Sequence, residues 1–265
     1  MRRANSSSLR AKAIVIASEA KQSIMSDNIL LLQNITKSFL IPSGKKIALD
    51  DVSLAIQQGS CTVLAGENGS GKSVLMSIAA GLLKADSGKV ECSSRPGLVF
   101  QEAETQILGE TPAEDIAFGP KNLGWKKDKV EAAVKEALNK TGLTDKADFP
   151  ARFLSGGEKR RLAVACMLAM DLSVIILDEP YANLDYSGVK QVNELICSLK
   201  SDGKTVIILT HEIEKCLALA DHFIILHKGK KVFDGTPEQG LGQKLEQWNI
   251  RNPLVQYKSV KDLIW

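Results

Sequence analysis

Residues 61–83 read "CTVLAGENGSGKSVLMSIAAGLL", and the middle of that stretch decides the fold. Residues 61–66 are a short apolar run ending in glycine, as in a strand buried on both faces of a parallel sheet. Residues 73–83 carry the composition of a helix. Between them, residues 66–73 fit the pattern G-x-x-x-x-G-K-[ST], in the strand-to-helix context that the pattern requires. Gly66, Gly69 and Gly71 let the backbone curl around Glu67, Asn68 and Ser70, so that successive N–H groups point at one anion. The helix adds its positive N-terminus. Lys72 is then placed to reach the β- and γ-phosphates of a nucleotide such as ATP, and the Ser73 hydroxyl to ligate Mg²⁺.

A Mg²⁺ site needs a carboxylate, and "VIILDEP" (174–180) supplies one. Asp178 ends a hydrophobic strand, where it can hold the metal through water. Glu179 comes next, with its side chain pointing differently, and can polarise an attacking water. An acidic strand end alone is a common surface feature. Paired with the lysine loop, it points to a P-loop nucleoside triphosphatase.

The rest of the chain fits that reading. Its 265 residues suffice for one large α/β domain, and 44% hydrophobic with 25% charged residues is ordinary for a globular protein. No apolar run reaches the roughly 18–20 residues of a membrane span. The five cysteines are dispersed, with no CxxC pair, and read as reduced, small hydrophobes of a cytosolic protein. The leader, residues 1–25, carries Arg2, Arg3, Arg10, Lys12 and Lys21 against Glu19, which outweighs the whole chain's net charge of +3. The remainder is slightly acidic, so the basic balance gives no warrant for nucleic-acid binding. That leader reads as a disordered tail or an upstream start, with Met25 opening the true chain. Its composition also fits a transit peptide.

Strands are expected at 29–39, 52–59, 97–101, 174–180 and 205–211, with a turn at "PSGKK" and a hairpin at 223–235 around Lys228–Gly229. Residues 102–170 turn helical. One helix there carries Val130, Val134 and Leu138 on one face, with Asp128 and Glu131 as a capping box and Gly142 as a stop. Alternating strands and helices predict an α/β fold with a mainly parallel, doubly wound sheet.

A second glycine loop, "LSGGEKRR" (154–161), also opens a helix. Ser155, Gly156 and Gly157 thus form a second anion site. One chain cannot readily fold both loops around one γ-phosphate. In a two-fold, head-to-tail dimer, each nucleotide meets the first loop of one chain and the second loop of its partner.

The ordered set of motifs resembles the ABC ATPase family from about residue 29 to 237. Residues 66–73 match its Walker A loop, Gln101 its Q-loop, Leu154–Glu158 its signature and Val174–Glu179 its Walker B strand. "ANLD" (182–185) is similar to the D-loop, His211 to the switch histidine, and Phe39 stands where the family stacks adenine. The resemblance implies a P-loop (RecA-like) core with an antiparallel β subdomain and an α-helical subdomain at about 102–169. It implies one nucleotide-binding domain over 26–240, followed by a C-terminal extension over 241–265. It makes Glu179 the general base, has His211 contact the γ-phosphate, links Mg²⁺ to the helical subdomain through Gln101, and sends Asp185 across the dimer interface. Tyr181–Ala182–Asn183 departs from the family pattern, and Tyr181 is given no role beyond packing.

There is one cassette and no long insertion between Lys72 and Ser155. That disfavours chromosome-maintenance ATPases and tandem translation factors, and leaves a separate transporter subunit. Residues 100–124 are similar to the corresponding stretch of energy-coupling factor and cobalt/nickel-type importer ATPases. Gln101, Gln106, Glu114–Asp115, Phe118–Gly119–Pro120 and Asn122–Leu123–Gly124 fit, while "EAETQ" replaces the usual "NPEDQ". The resemblance implies an ATP- and Mg²⁺-dependent ATPase at the cytoplasmic face of the cell membrane. Its partners would be a second ATPase subunit, identical or paralogous, a transmembrane coupling protein, and through it a substrate-binding membrane subunit, with no nucleic acid. The alternatives are an ATPase of an ordinary ABC importer or exporter, and a soluble ABC switch without a transporter. Trp248 and Trp265 in the extension either cover the domain or anchor dimer contacts.

Overall fold

The computed structural model describes residues 27–42, 44–255 and 259. The basic leader, Met25 and Trp265 lie outside the described residues. In chain order the elements are β1 (Asn28–Ile41), β2 (Gly44–Gln57), β3 (Cys61–Ala65), α1 (Lys72–Ala79), β4 (Ser87–Cys92) and β5 (Gly97–Val99). There follow α2 (Pro112–Asn122), α3 (Lys127–Lys140), α4 (Gly156–Ala169), β6 (Val174–Asp178), α5 (Tyr186–Ser201) and β7 (Thr205–Thr210). The hairpin β8 (His222–His227) and β9 (Lys230–Gly235) and the short α6 (Pro237–Leu241) complete the set.

The main sheet has the order β5-β6-β7-β3-β8-β9. All its pairings are parallel except β8 with β9. That hairpin turns on Lys228 (φ 48°) and Gly229 (φ 78°), and positive φ at both central residues matches the right-handed strand twist. Every residue of β3, β6 and β7 is buried, as their continuous apolar runs require. Alternate side chains serve two cores. Cys61, Val63 and Ala65 pack toward α4 and α5, while Leu64 joins Leu75 and Met76 of α1 and the apolar face of β1 and β2. Burying each such aliphatic side chain contributes about 1.5–3 kcal/mol.

The second sheet is antiparallel, in the order β2-β1-β4. Its β1–β2 turn is tighter than "PSGKK" suggests: Lys45 and Lys46 lie inside β2, opposite Leu40 and Phe39. Strand β4 has no clear sequence signal, because it is a half-exposed strand at the sheet edge. All five cysteines are free thiols, and burial pushes Cys61 up to about 12.

The helices α2, α3 and α4 enclose a third core around Ile116, Leu138, Leu143, Leu154 and Leu162. The capping box expected from Asp128 and Glu131 does not form. Helix α3 begins at Lys127, with Lys126 as its N-cap, so Asp128 already lies inside the first turn. Glu131 pairs instead with Lys127, at 3.8 Å. At the other end Gly142 (φ 64°) does stop the helix. The Leu143 N–H donates to Leu138 O at 2.8 Å and Gly142 N–H to Asn139 O at 3.2 Å, the paired bonds of a Schellman motif.

Candidate functional site

The sheet order decides which residues meet. Strands β6, β7 and β3 are neighbours, and the glycine loop, Asp178–Glu179 and His211 all follow their carboxyl ends. In open α/β sheets that edge is where ligands bind.

The loop is tightly moulded. Gly66 (φ 155°) would place a Cβ 2.2 Å from the Leu226 carbonyl oxygen, and Gly71 (φ 105°) would place one 2.6 Å from that of Ala48. No side chain fits at either position. The loop is braced from the β8–β9 turn, where the Gly229 N–H donates to Ser70 O at 3.0 Å. Ser70 is buried, and among the described residues its Oγ has no hydrogen-bond partner. Asn68 and Gly69 are exposed at the loop tip.

Lys72 is only 5% exposed. Its ammonium donates to Gly66 O at 2.6 Å and to Glu67 O at 3.3 Å, and lies 3.6 Å from Glu179 Oε1. Burial pulls its pKa below the usual lysine value, and the Glu179 and Asp178 carboxylates oppose that shift. The same Glu179 oxygen lies 3.0 Å from His211 Nδ1. One carboxylate therefore sits between a lysine and a histidine. This gives the site a group able to accept a proton, beside a cation suited to an anion.

Asp178 is buried, and desolvation raises its pKa, countered by a hydrogen bond from Ser73. Among the described residues its buried Oδ1 has no hydrogen-bond partner. An orphaned carboxylate oxygen beside a serine hydroxyl is the donor set of a hard divalent cation.

Other residues singled out from the sequence lie further off. Gln101 is exposed just beyond β5. Phe39 lies toward the outer end of β1, with the Lys37 ammonium 5.5 Å from its ring centre. Asp185 caps α5, its Oδ1 accepting the Gly188 N–H at 2.7 Å. Ser155 and Glu158 form a capping box at the start of α4. The Ser155 N–H donates to Glu158 Oε2 at 2.8 Å, which lowers the Glu158 pKa. Gly156 and Gly157 beside them are open on their Cα side, with no clash for an added Cβ. Among the described residues, no hydrogen bond or ion pair joins this second loop to the first.

The structure also gives work to residues that motif reading leaves idle. Gln106 accepts the Phe100 N–H at 2.8 Å and donates to Leu98 O at 2.9 Å, which fixes the end of β5 from which Gln101 hangs. Arg160 donates to Ala182 O at 2.7 Å, and Lys159 pairs with Glu104 at 2.7 Å. The helix after the second glycine loop is thereby tied both to residues 182–185 and to the segment after Gln101. The basic run "KRR" was the only signal for these ties.

A lysine loop, an acidic strand end and a histidine on neighbouring strands define a P-loop nucleoside triphosphatase. The sequence profile of the ABC transporter family matches residues 49–182. A relative from Methanospirillum hungatei, an energy-coupling factor transporter ATP-binding protein EcfA2, is 40% identical over 78% of this chain, which spans 56% of that relative's length. The cobalt import ATP-binding protein CbiO of Rhodobacter capsulatus is 38% identical over 86% of each chain. Among solved structures, cbiO1 from Clostridium perfringens, part of the ABC transporter complex cbiONQ, superposes with a TM-score of 0.74. It is 31% identical over 86% of this chain and 96% of that one. The chain belongs to the ABC transporter family and is an ATPase of that family.

Proposed function

We propose that this ATPase powers a membrane importer of the energy-coupling type, for a vitamin or a transition metal, from the cytoplasmic face of the membrane. Two ATPase subunits close head to tail on ATP, and the closure moves a transmembrane coupling protein and, through it, a substrate-binding membrane subunit. The observation that carries the ATPase part is the Lys72–Glu179–His211 cluster, with separations of 3.6 and 3.0 Å. In this reading residues 66–73 hold the phosphates, Glu179 takes the proton of the attacking water and His211 orients that water. Mg²⁺ would be held by Asp178 and Ser73, with Gln101 joining it to the helical subdomain, and it would neutralise charge on the phosphates. Phe39 stacks on the adenine. Ser155, Gly156, Gly157 and Glu158 of the partner cap the γ-phosphate, and Asp185 reaches across the interface.

The importer part draws its support from residues 100–124 and from the named relatives. A groove of about 750 Å³ between α2 and α3, with Ala117, Val130, Val134 and Leu138 at its apolar floor and Glu114, Lys121 and Glu131 also in its lining, is the seat this reading offers a helix of the coupling protein. No helix among the described residues is long and apolar enough to cross a membrane. The test is a pull-down of tagged protein from gently solubilised host membranes, read by mass spectrometry. One multi-span coupling protein with a small integral substrate-binding subunit is the expected result. A conventional permease pair, or no membrane protein at all, would overturn the energy-coupling reading.

A further inference from the structure

The C-terminal segment reaches back to the phosphate-binding loop. Asn249 Nδ2 donates to Glu67 Oε2 at 2.6 Å, across 182 residues of sequence. On the other side of that carboxylate, His227 Nδ1, buried and without a hydrogen bond among the described residues, lies 3.3 Å from Oε1. Glu67 is the second residue of the glycine loop, and its main-chain carbonyl accepts the Ser70 N–H at 3.1 Å and the Lys72 ammonium at 3.3 Å. The side chain that Asn249 grips therefore belongs to the peptide that orders both Ser70 and Lys72.

Residue 249 is not held there by a loose tail. Leu245 and Ile250 on either side of it are 0% and 2% exposed and belong to the main core, and Trp248 packs on the same cluster. The Asn249 N–H donates to Glu246 O at 3.0 Å and the Ile250 N–H to Leu245 O at 3.2 Å. Within that tight turn Asn249 takes φ 56°, a left-handed conformation that asparagine tolerates better than most residues. Its amide is thus aimed by packing that owes nothing to Glu67.

We propose that Asn249 is a positioning residue for nucleotide binding. By holding Glu67 against His227, residues 245–250 keep the loop curled as the phosphates require, so less ordering remains to be done on binding. The proposal rests on the reading of residues 66–73 as the nucleotide loop. A contact that only fastens the C-terminal segment would give a different result: a loss of thermal stability with unchanged nucleotide affinity.

The experiment uses the full chain with Asn249→Ala, Asn249→Asp, Glu67→Gln and the double variant N249D/E67Q. Calorimetric titration measures affinity for ATP and for inorganic tripolyphosphate, and thermal scans follow the nucleotide-free protein. Losing the bond in Asn249→Ala weakens both ligands about threefold, and opposing carboxylates in Asn249→Asp weaken them about tenfold. Adding Glu67→Gln to Asn249→Asp removes that repulsion and recovers most of the loss. Wild-type affinity in Asn249→Asp, or a loss that Glu67→Gln fails to recover, would overturn the proposal. So would weakening for ATP with none for tripolyphosphate, since the loop holds phosphate alone. Lys72→Ala serves as the control for the underlying reading. Full ATP affinity in that variant removes the loop assignment itself, whatever Asn249 does.

Discussion

Glu179 combines a constrained backbone with the central place in the site. Its φ of 46° is costly for a side chain of that size, about 1–3 kcal/mol, and survives only where neighbours enforce it. They do so here: the Glu179 N–H donates to Leu209 O at 2.9 Å, and its carbonyl accepts the Ala182 N–H at 3.2 Å. Glu179→Gln keeps the shape and removes the base of the proposed mechanism. Turnover should fall by about 10²–10⁴ while ATP still binds, so an ATP-loaded dimer accumulates. Phosphate-release kinetics beside size-exclusion in ATP would check both. Turnover within tenfold of wild type, or a monomer in saturating ATP, would place the base elsewhere or remove the sandwich. Tyr181, two residues on, is a contrasting case. It is 1% exposed, donates to Asn193 Oδ1 at 2.7 Å, and Asn193 in turn donates to Lys215 O at 2.9 Å. Tyr181→Phe leaves that amide short of a partner and should cost about 1–2 kcal/mol in chemical denaturation, with turnover little changed.

Among the elements, β1 shows how a strand end is tied. Asp86 accepts hydrogen bonds from the Ser38 hydroxyl at 2.6 Å, the Ser38 N–H at 2.8 Å and the Lys37 ammonium at 2.9 Å. The Ser38 bonds, more than Lys37, hold its carboxyl down to about 2, against an ordinary value of 3.8. A carboxylate depressed on folding stabilises above its unfolded pKa, and that contribution fades as pH falls through the folded one. Asp86→Ala should therefore melt earlier than wild type by a steady margin from pH 7 to about 5, with the gap closing between about 4 and 2. A gap that widens in acid would contradict this assignment. The same elements show what a sequence can disclose. The lysine loop, Asp178–Glu179 and His211 are legible because each is a run of consecutive residues closing an apolar strand. The start of α4 at Ser155–Gly157 is legible because a glycine loop opens a helical run, while the capping box that Glu158 completes there comes from the structure. Strand β4 is not, since its register comes from β1 and its own residues are half-exposed. Nor is the start of α3, where the chain's entry at Lys126 overrides a plausible cap at Asp128. Least legible are Gln106 and Asn249, whose roles exist only once distant backbone has been brought beside them.

At the scale of the whole molecule, the two glycine loops remain separate features of one chain. The first lies at the sheet's carboxyl edge, and the second opens α4 over the helical core, with Ser155 exposed. If each ATP is shared between two chains, damage to one loop should be complemented by a partner damaged in the other. Ser155→Arg puts bulk and charge into the second loop, and should abolish hydrolysis and ATP-dependent dimerisation while the monomer keeps its affinity for ATP. The substitution also removes a helix cap worth about 1 kcal/mol, so Ser155→Ala, which loses the cap without adding bulk, controls for stability. Lys72→Ala carries the opposite defect, an intact second loop with a crippled first. Alone, each of Ser155→Arg and Lys72→Ala should be inactive. Mixed, they form heterodimers in which the sound first loop of one chain faces the sound second loop of the other. Half of randomly paired dimers are of this kind, each with one competent site of two, so at most about a quarter of wild-type sites return. Steady-state phosphate release from the mixture measures this directly. Activity that rises on mixing requires a site built from two chains. Silence from a mixture of the two folded variants, with Ser155→Arg still binding ATP, or lost ATP binding in Ser155→Arg alone, would mean that each chain closes both loops on its own nucleotide.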